Sequence, residues 1–249
     1  MEKSVSETLL ERRCVRHFEG KPIPAADLEF IREAVRNTPT SYNGQQYSVI
    51  EITDPQIKAR LAELSNMKQL ANAPVVFMFL ADYHKIEAGA QAKGLQMPPF
   101  YDTADGLIVA VIDASLAMMG AIVAAEARNL GTCPVGYVRT VAPREICELL
   151  RLPRETFPIC ALAVGIPAEK PEMKPKQPLD LIFHKDVYGA EDMKREIMEY
   201  DEEIVRYHEN RSSRASDQDW IGKILFYYRE RSANNVLAAL CEQGFGIKS

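Results

Sequence analysis

Three arginines, Arg12, Arg13 and Arg16, lie within five residues of one another near the start of the chain. The chain as a whole is acidic, with a formal net charge of −5. Proteins that read nucleic acid present a broad basic face, so a compact arginine cluster on an acidic chain argues against that function. Planar guanidinium groups hold phosphate through paired hydrogen bonds, which suits the cluster to one small, multiply charged anion. A solvated run at the end of a first helix is an equal alternative on this segment alone.

A polar loop at residues 38–46 is the second candidate for chemistry. Its sequence, Thr-Pro-Thr-Ser-Tyr-Asn-Gly-Gln-Gln, places hydroxyl and amide side chains around Gly44. Such side chains can hydrogen-bond to a flat polar heterocycle, and a glycine lets the backbone approach it closely. Turns commonly have this composition, so the loop alone is a weak indication of a binding site.

Two further segments have the composition of ligand-binding loops. Residues 131–139, Gly-Thr-Cys-Pro-Val-Gly-Tyr-Val-Arg, favour a backbone pressed against a ligand, although a plain turn would need little else. Lys174-Pro175-Lys176 is a rigid basic pair that could close over the same phosphate as the arginines. A solvated loop is the equal alternative for this pair.

The elements that would position these segments alternate between helices and apolar strands. Strands are predicted at Tyr47–Ile52, 74–80 and 158–165, the last two central because they are apolar throughout. A further strand could open at 136–139. Apolar residues at helical spacing, with proline and glycine at the ends, predict the helices. The predicted helices are 4–13 (with Leu9 and Leu10 on the buried side), 24–38, 55–64, 107–129, 141–150, 191–210 and 220–242.

This order of elements predicts one α+β domain over residues 1–249. We expect three α/β/α layers: a central mixed sheet flanked by helices, with the long central helix at a dimer interface. Residues 166–249 would form a proline-rich extended segment followed by a helical C-terminal excursion.

Composition predicts a soluble protein of a reducing compartment. Hydrophobic residues make up 47% of the 249 residues and charged residues 26%. The five cysteines are scattered without a CxxC pair, which disfavours a disulfide framework and a zinc site. The polar N-terminus has no apolar signal core, so we expect a cytoplasmic protein. Residues 106–125 carry a single charge, Asp113, but lack the basic flank and aromatic belt of a membrane span, which favours a core or dimer helix.

Taken in order, the four segments resemble motifs of the nitroreductase superfamily of FMN-dependent oxidoreductases. The likeness is strongest to its branch of NADPH-dependent oxygen-insensitive nitroreductases and flavin reductases. Residues 12–18 match a histidine or arginine followed by Arg-Ser-x-Arg-x-Phe, and residues 39–45 match Pro-Ser-Ser-x-Asn-x-Gln. Residues 130–139 match Leu-Gly…Gly…Arg, and residues 174–178 match Lys-Pro-Arg-x-Pro. The resemblance covers nearly the whole chain and implies a homodimer with its site at the subunit interface.

The resemblance implies which residues would bind FMN. Its phosphate, ribityl chain and pyrimidine edge would be held by Arg12, Arg13, Arg16, Lys174 and Lys176. Cys14 replaces a serine that helps to hold the phosphate, and a thiol is a poorer donor, so the Cys14 backbone N–H would have to supply that contact. The polar loop would contact the flavin, from the partner subunit, through Thr40, Ser41, Asn43 and Gln45.

The remaining implied contacts concern the flavin ring and the electron donor. The ring would be lined by Pro134, Val135, Gly136 and Tyr137. Lys68, with Gln69 adjacent, stands where relatives place a flavin-contacting glutamine. Arg211 and Arg214 fall where this branch binds the 2′-phosphate of NADPH, for which guanidinium groups are suited.

The implied reaction is hydride transfer from NADPH through flavin N5 to a small acceptor such as a nitroaromatic, a quinone or free flavin. No catalytic residue is predicted, because the cofactor carries the chemistry and no general base is required. No metal, nucleic acid or membrane is predicted as a partner. Two alternatives remain: an FMN-binding member with another redox role (dehalogenation or flavin rearrangement), or a non-enzymatic anion-binding dimer.

Overall fold

A computed structural model of the chain describes residues 2–189, 192–210, 219–231 and 235–247. The chain is divided into two compact units, one formed by Met1–Pro171 with Asn234–Ser249 and the other by Glu172–Ala233. The helices are α1 (Val5–Leu10), α2 (Ala25–Arg36), α3 (Pro55–Ser65), α4 (Gln69–Asn72), α5 (His84–Ala92), α6 (Ala104–Ala127), α7 (Pro143–Leu149), α8 (Met193–Glu209), α9 (Trp220–Arg231) and α10 (Val236–Glu242). Short 3₁₀ helices lie at Ser41–Asn43, Phe100–Asp102, Gly136–Arg139 and Leu179–Leu181.

The first unit is built on a four-stranded sheet. Its strands are β1 (Tyr47–Ile52), β2 (Val75–Asp82), β3 (Gly131–Val135) and β4 (Thr156–Gly165), in the order β1-β2-β4-β3. Every neighbouring pair is antiparallel, so the prediction of a mixed sheet is wrong for these strands. The one parallel pairing among the described residues is an isolated bridge between Cys14 and Thr132.

Helices cover both faces of this sheet. Successive side chains of a strand point to opposite faces; accordingly, Phe77 and Phe79 of β2 pack in the cluster that contains α2 and α6. Val76 and Met78 pack in the other cluster, with residues of α3, α4 and α7. This arrangement confirms the predicted α+β fold with three layers.

Helix α6 lies on the sheet through small side chains. Ala110, Ala114, Ala117 and Ala121 are fully buried and recur at helical spacing, so the helix backbone can approach the bulky side chains of the sheet. By length and mean hydropathy alone, 2.3 over its most apolar stretch, α6 could also cross a membrane. The core helix of a globular protein has the same properties, and α6 packs as one.

Three local predictions are wrong. Helix α1 ends at Leu10 rather than at residue 13, and it buries Thr8. Since each residue turns the helix by about 100°, Leu9 and Leu10 then point away and are exposed. Residues 136–139 form a 3₁₀ helix after β3 instead of a strand. The single helix predicted at 220–242 is two helices, α9 in the second unit and α10 in the first.

The second unit pairs α8 with α9. The Asp201 carboxylate on α8 accepts hydrogen bonds from the backbone N–H groups of Trp220 (2.8 Å) and Ile221 (2.9 Å) at the start of α9. The Tyr200 and Trp220 rings meet edge to face with centroids 5.6 Å apart. A capping carboxylate and an aromatic pair therefore fix the beginning of α9.

Candidate functional site

The arginine segment runs extended beside β3. Cys14 forms its bridge with Thr132, and the Val15 N–H donates to the Thr132 carbonyl at 2.9 Å. Further on, the Glu19 N–H donates to the Ile166 carbonyl at 2.8 Å, just beyond β4. The arginines therefore do not form the end of a helix, as the sequence predicts, but line the edge of the sheet.

The charge of this segment is not neutralised. Among the described residues, no carboxylate lies within 4 Å of the Arg12, Arg13 or Arg16 guanidinium group. The Nε atoms of Arg12 and Arg13 are buried and have no hydrogen-bond partner in the described part of the chain. Unpaired buried donors on cations are costly unless a ligand satisfies them. This arrangement fits an anion such as a phosphate.

Two carboxylates that the sequence analysis missed shape the segment. Glu169 accepts hydrogen bonds from the backbone N–H groups of Arg16 (2.6 Å) and His17 (3.1 Å), which fixes the backbone that carries Arg16. Glu126, buried at the end of α6, accepts from the Thr132 hydroxyl at 2.9 Å. Burial raises the pKa of Glu126, opposed by Thr132, Lys3 and Arg12. No local sequence signal marks either residue, because the partners of Glu169 are distant in the chain and Glu126 reaches a neighbouring element.

Cys14 lies beside a guanidinium group and a second cysteine. Arg12 Nη2 lies 3.6 Å from Cys14 Sγ, and Cys133 is the residue that follows Thr132 on β3. The neighbouring Cys133, and then the charges of Arg12 and Arg16, lower the pKa of Cys14 against the effect of burial.

Residues 134–137 continue from this point. Val135 is buried in the core, so only its backbone can face a ligand, whereas Pro134, Gly136 and Tyr137 are half-buried. Arg139 Nη1 donates to the Ile159 carbonyl at 3.0 Å and passes so close to Gly136 that a Cβ there would lie 2.8 Å from it. The glycine thus allows the tight 3₁₀ turn that presents this backbone.

Lys68 and Gln69 lie beside β3 in different ways. Lys68 is exposed and directly precedes α4. The Gln69 side chain turns inward, with Nε2 at 3.4 Å from Met67 Sδ and 3.9 Å from Cys133 Sγ. The structure therefore brings Gln69 to the arginine segment through Cys133.

The polar loop is held by a buried carboxylate on α6. Asp113 is fully buried and accepts from the backbone N–H groups of Ser41 (3.0 Å) and Gln46 (3.2 Å). Inside the loop, the Gln45 N–H donates to the Thr40 hydroxyl at 3.2 Å. The sequence signal for Asp113 was its position as the lone charge of an apolar helix.

The loop has an unusual backbone. Tyr42, Asn43 and Gln45 have positive φ angles of 42°, 56° and 52°, which non-glycine residues adopt at a cost. The side chains of Asn43 and Gln45 are exposed, and that of Ser41 is half-buried. Asp113 therefore holds a strained loop whose polar side chains point outward.

Within one chain, the polar loop and the arginine segment lie far apart. Asp113, which holds the loop, and Glu126, which lies beneath the arginine segment, are 13 residues apart on α6. At about 1.5 Å per residue this separates them by roughly 20 Å. One chain therefore gathers Arg12, Arg16, Cys14, Cys133 and Gln69, while Ser41, Asn43 and Gln45 face a different place.

The remaining predicted residues belong to the second unit. Lys174 and Lys176 lie there, and the segment between them is held by a hydrogen bond from Tyr200 Oη to the Pro175 carbonyl at 3.4 Å. Arg211 and Arg214 lie outside the described residues.

Comparison with known proteins gives a consistent result. The model of the Nitroreductase family matches residues 9–166, and that of the Nitroreductase family C-terminal domain matches residues 174–248. The chain is 30% identical to the FMN reductase (NAD(P)H) of Bacillus subtilis over 246 residues, covering 98% of each chain. It is 32% identical to an NADPH-dependent oxidoreductase of Staphylococcus epidermidis, over 98% of this chain and 99% of that one.

Solved structures agree. The hypothetical oxidoreductase YcnD from Bacillus subtilis superposes with a TM-score of 0.94 at 31% identity, over 98% of this chain and 99% of that one. Family models that together match nearly the entire length, and relatives of equal length, leave one assignment: the chain belongs to the nitroreductase family.

Proposed function

We propose that this chain is an FMN-dependent oxidoreductase that takes hydride from NADPH and delivers it to a small acceptor, such as a nitroaromatic, a quinone or free flavin. The observation that carries the proposal is the extended arginine segment, whose guanidinium charges are not neutralised within the described residues. The names of the relatives, FMN reductase and NADPH-dependent oxidoreductase, support the same activity. They do not favour dehalogenation, flavin rearrangement or a non-enzymatic role.

The residues of the arginine segment fit the phosphate of FMN. Arg12 and Arg13 offer buried Nε donors that await an acceptor, and Arg16 is exposed on a backbone fixed by Glu169. FMN, when bound, supplies hydride transfer at its N5 atom. The half-buried Pro134, Gly136 and Tyr137 would shield the ring on one side, and Gly136 and Tyr137 would offer backbone N–H groups to it. Lys174 and Lys176 would add positive charge.

The polar loop would complete the site in the partner subunit of a homodimer. Thr40, Ser41, Asn43 and Gln45 lie about 20 Å along α6 from the arginine segment of their own chain. A two-fold partner can bring its loop to the arginine segment, which a single chain does not. The five cysteines are free thiols, which is typical of a reducing compartment, so we place the homodimer in the cytoplasm. Residues 1–249 would together form one FMN-binding domain.

The decisive experiment is spectroscopic. The protein is purified, incubated with FMN, freed of excess flavin and mixed anaerobically with NADPH. We expect one tightly bound FMN per chain and bleaching of the flavin absorbance by NADPH, followed by recovery of colour when a quinone or nitroaromatic is added. A protein that does not retain FMN, or whose bound FMN is not bleached by either nicotinamide, would show the proposal to be wrong.

Replacing Arg16 by alanine tests the phosphate assignment. We expect FMN binding to weaken by about 1.5–3 kcal/mol, the range for a hydrogen bond to a charged group, or roughly 10- to 150-fold in Kd. Flavin fluorescence quenching measures the Kd. The control is Arg36→Ala on α2, an exposed arginine that pairs with Glu33. An Arg16→Ala protein with the Kd of the control would contradict the assignment. Cys14→Ser should bind FMN equally or more tightly, since a hydroxyl is a better hydrogen-bond donor to the phosphate than a thiol.

The preference for NADPH is proposed to depend on Arg211 and Arg214. A 2′-phosphate adds about −1.5 to −2 charges, and a difference of only about 1.4 kcal/mol makes kcat/KM tenfold higher for NADPH than for NADH. We expect at least this ratio in the wild type, a smaller ratio at high salt and near equality in Arg211→Ala/Arg214→Ala. Arg36→Ala/Arg60→Ala is the charge-matched control. A wild type that prefers NADH, or a double variant with the wild-type ratio, would refute the proposal.

A further inference from the structure

Glu169 is a carboxylate that lies against the arginine segment without pairing with its guanidinium groups. Its Oε1 atom accepts hydrogen bonds from the backbone N–H groups of Arg16 (2.6 Å) and His17 (3.1 Å). Its Oε2 atom lies 3.9 Å from His17 Nε2, the one basic nitrogen within 4 Å of this carboxylate among the described residues. Glu169 therefore binds the backbone of the segment and leaves the charge of Arg16 available to an anion.

Arg16 lies where the segment changes its backbone partner. The residue before it, Val15, donates its N–H to a carbonyl of β3 at 2.9 Å. The residue after it, His17, accepts through its carbonyl from the Ala168 N–H at 3.0 Å, in the stretch that follows β4. Between these two contacts, the Arg16 N–H is held by the Glu169 carboxylate. Loss of that carboxylate would therefore release the backbone at Arg16.

The stretch after Arg16 has other contacts that do not need Glu169. The Glu19 N–H donates to the Ile166 carbonyl at 2.8 Å, and Phe18 forms an antiparallel bridge with Pro167. The Glu169 side chain is 30% exposed, so its truncation leaves no closed cavity. Removing the carboxylate is thus expected to loosen Arg16 and to leave the rest of the unit folded.

We propose that Glu169 is a positioning residue for FMN binding, and that it acts by holding the Arg16 backbone where the guanidinium group meets the phosphate. The inference rests on the proposed binding of the FMN phosphate by the arginine segment. Backbone that is fixed during folding does not have to be ordered again when the ligand binds, so this entropic cost is absent from the binding step. FMN should gain affinity from Glu169, whereas riboflavin, which has no phosphate, should not.

The charge of Glu169 acts in the opposite direction to its position. A carboxylate near a bound phosphate repels it, so the charge by itself would weaken FMN binding. Substitutions separate the two effects. Glutamine keeps an acceptor oxygen at the same reach without the charge, whereas aspartate keeps the charge but draws it back by one methylene group.

The first test compares the Kd values of FMN and riboflavin, measured by quenching of flavin fluorescence. Glu169→Ala should weaken FMN binding by about 5- to 30-fold, the factor by which ordering the backbone of one residue changes an equilibrium constant. Riboflavin binding should change less than about twofold, since the contact serves the phosphate. The control is Glu19→Ala, which removes a carboxylate of the same segment that pairs with the exposed Lys21 at 2.7 Å.

Two further variants show whether reach or charge matters. Glu169→Gln should bind FMN within about threefold of the wild type, because its carbonyl oxygen still accepts from the two N–H groups. Glu169→Asp should bind FMN as weakly as Glu169→Ala, although it keeps the negative charge. This order of affinities is the reverse of the one expected for a residue that acts through its charge.

The second test is a double-mutant cycle with Arg16. If Glu169 acts through Arg16, Glu169→Ala should not weaken FMN binding further in an Arg16→Ala protein, so the two effects should be far from additive. A residue that only stabilises the fold would weaken binding by the same factor in both backgrounds. Hydrogen exchange measures the contact without any flavin: residues 12–18 should exchange faster in Glu169→Ala than in Glu169→Gln.

The outcomes separate this inference from the proposed function. A wild type that binds FMN tightly, with a Glu169→Ala protein that has the Kd of Glu19→Ala or an additive cycle, would overturn the inference alone. A wild type that does not bind FMN more tightly than riboflavin would overturn it together with the phosphate assignment. Should Glu169→Ala fail to fold, Glu169→Asp decides, because FMN binding as tight as in Glu169→Gln would contradict the positioning role.

Discussion

Replacing Asp113 by alanine should lower the free energy of unfolding by about 3–6 kcal/mol, since each of its two hydrogen bonds contributes about 1.5–3 kcal/mol. The carboxylate is fully buried and accepts from the N–H groups of Ser41 and Gln46, and alanine leaves both donors without their acceptor. Chemical denaturation at a fixed protein concentration measures the change. Hydrogen exchange should show faster exchange at these two amides, which locates the loss in the loop.

The Asp113→Ala substitution should also weaken FMN binding. Tyr42, Asn43 and Gln45 adopt positive φ angles that only the surrounding contacts maintain. Without Asp113 the loop should relax, and we expect FMN binding to weaken at least tenfold, provided that this loop contacts the flavin.

Two variants sharpen the Asp113 experiment. Asp113→Asn keeps one carbonyl oxygen for one of the two donors and should lose about half as much stability. Asp105→Ala removes an exposed carboxylate from the first turn of the same helix and should cost less than about 1 kcal/mol. Equal stability of the Asp113→Ala and Asp105→Ala proteins would show that the buried carboxylate does not hold the loop.

The sequence predicts most of the sheet because burial leaves a direct trace in composition. Strand β1 lies at the predicted residues 47–52, and β2 and β4 overlap their predicted apolar runs. Central strands covered on both faces must be apolar throughout, so the pattern has few other interpretations. The direction in which neighbouring strands run has no comparable effect on composition. The sequence therefore did not reveal that the sheet is antiparallel and not mixed.

Local contacts with distant residues explain the other failures. Residues 136–139 have strand-like composition, but a hydrogen bond from Arg139 to the Ile159 carbonyl fixes a 3₁₀ turn. The first helix ends early because Val15 pairs with Thr132 instead of continuing a helix. In both cases a partner more than 15 residues away decides the conformation, and no local pattern reveals it.

The candidate site could be predicted by residue type but not by its supporting contacts. The arginines and the polar loop stand out in the sequence because their composition departs from that of ordinary elements. Glu169 and Asp113, which fix the backbone of these segments, stand out much less, because a carboxylate that accepts from distant N–H groups has no sequence neighbour that indicates its role. The separation of the two segments along α6 becomes visible only with the fold.

Replacing Ile112 by glutamate should dissociate the proposed homodimer. Four apolar side chains on α6 are exposed in a single chain, namely Ile108 (55%), Ile112 (47%), Leu116 (43%) and Met119 (38%). They recur at helical spacing opposite the buried alanines, which is the pattern of a helix buried on both sides. Obligate interfaces bury more than about 2,000 Å² and have the composition of a core, so a second copy of this chain is the partner that suits this face.

The expected effect follows from two-fold symmetry. Each dimer would bury two glutamates against apolar side chains, and an unpaired buried carboxylate costs several kcal/mol. A cost of about 4 kcal/mol weakens association roughly 1,000-fold. Sedimentation velocity at micromolar concentration should then show monomer or unfolded chain for Ile112→Glu, and FMN should be lost with the dimer.

The control for this experiment is Ile112→Val, which keeps an apolar side chain and should remain dimeric with its FMN bound. Circular dichroism separates dissociation from unfolding, since position 112 is about half exposed in one chain and tolerates glutamate in a folded monomer. Because the polar loop would reach the arginine segment only across the interface, loss of FMN should track loss of dimer across a concentration series. A wild-type chain that sediments as a monomer while it holds FMN would refute both the interface and the shared site.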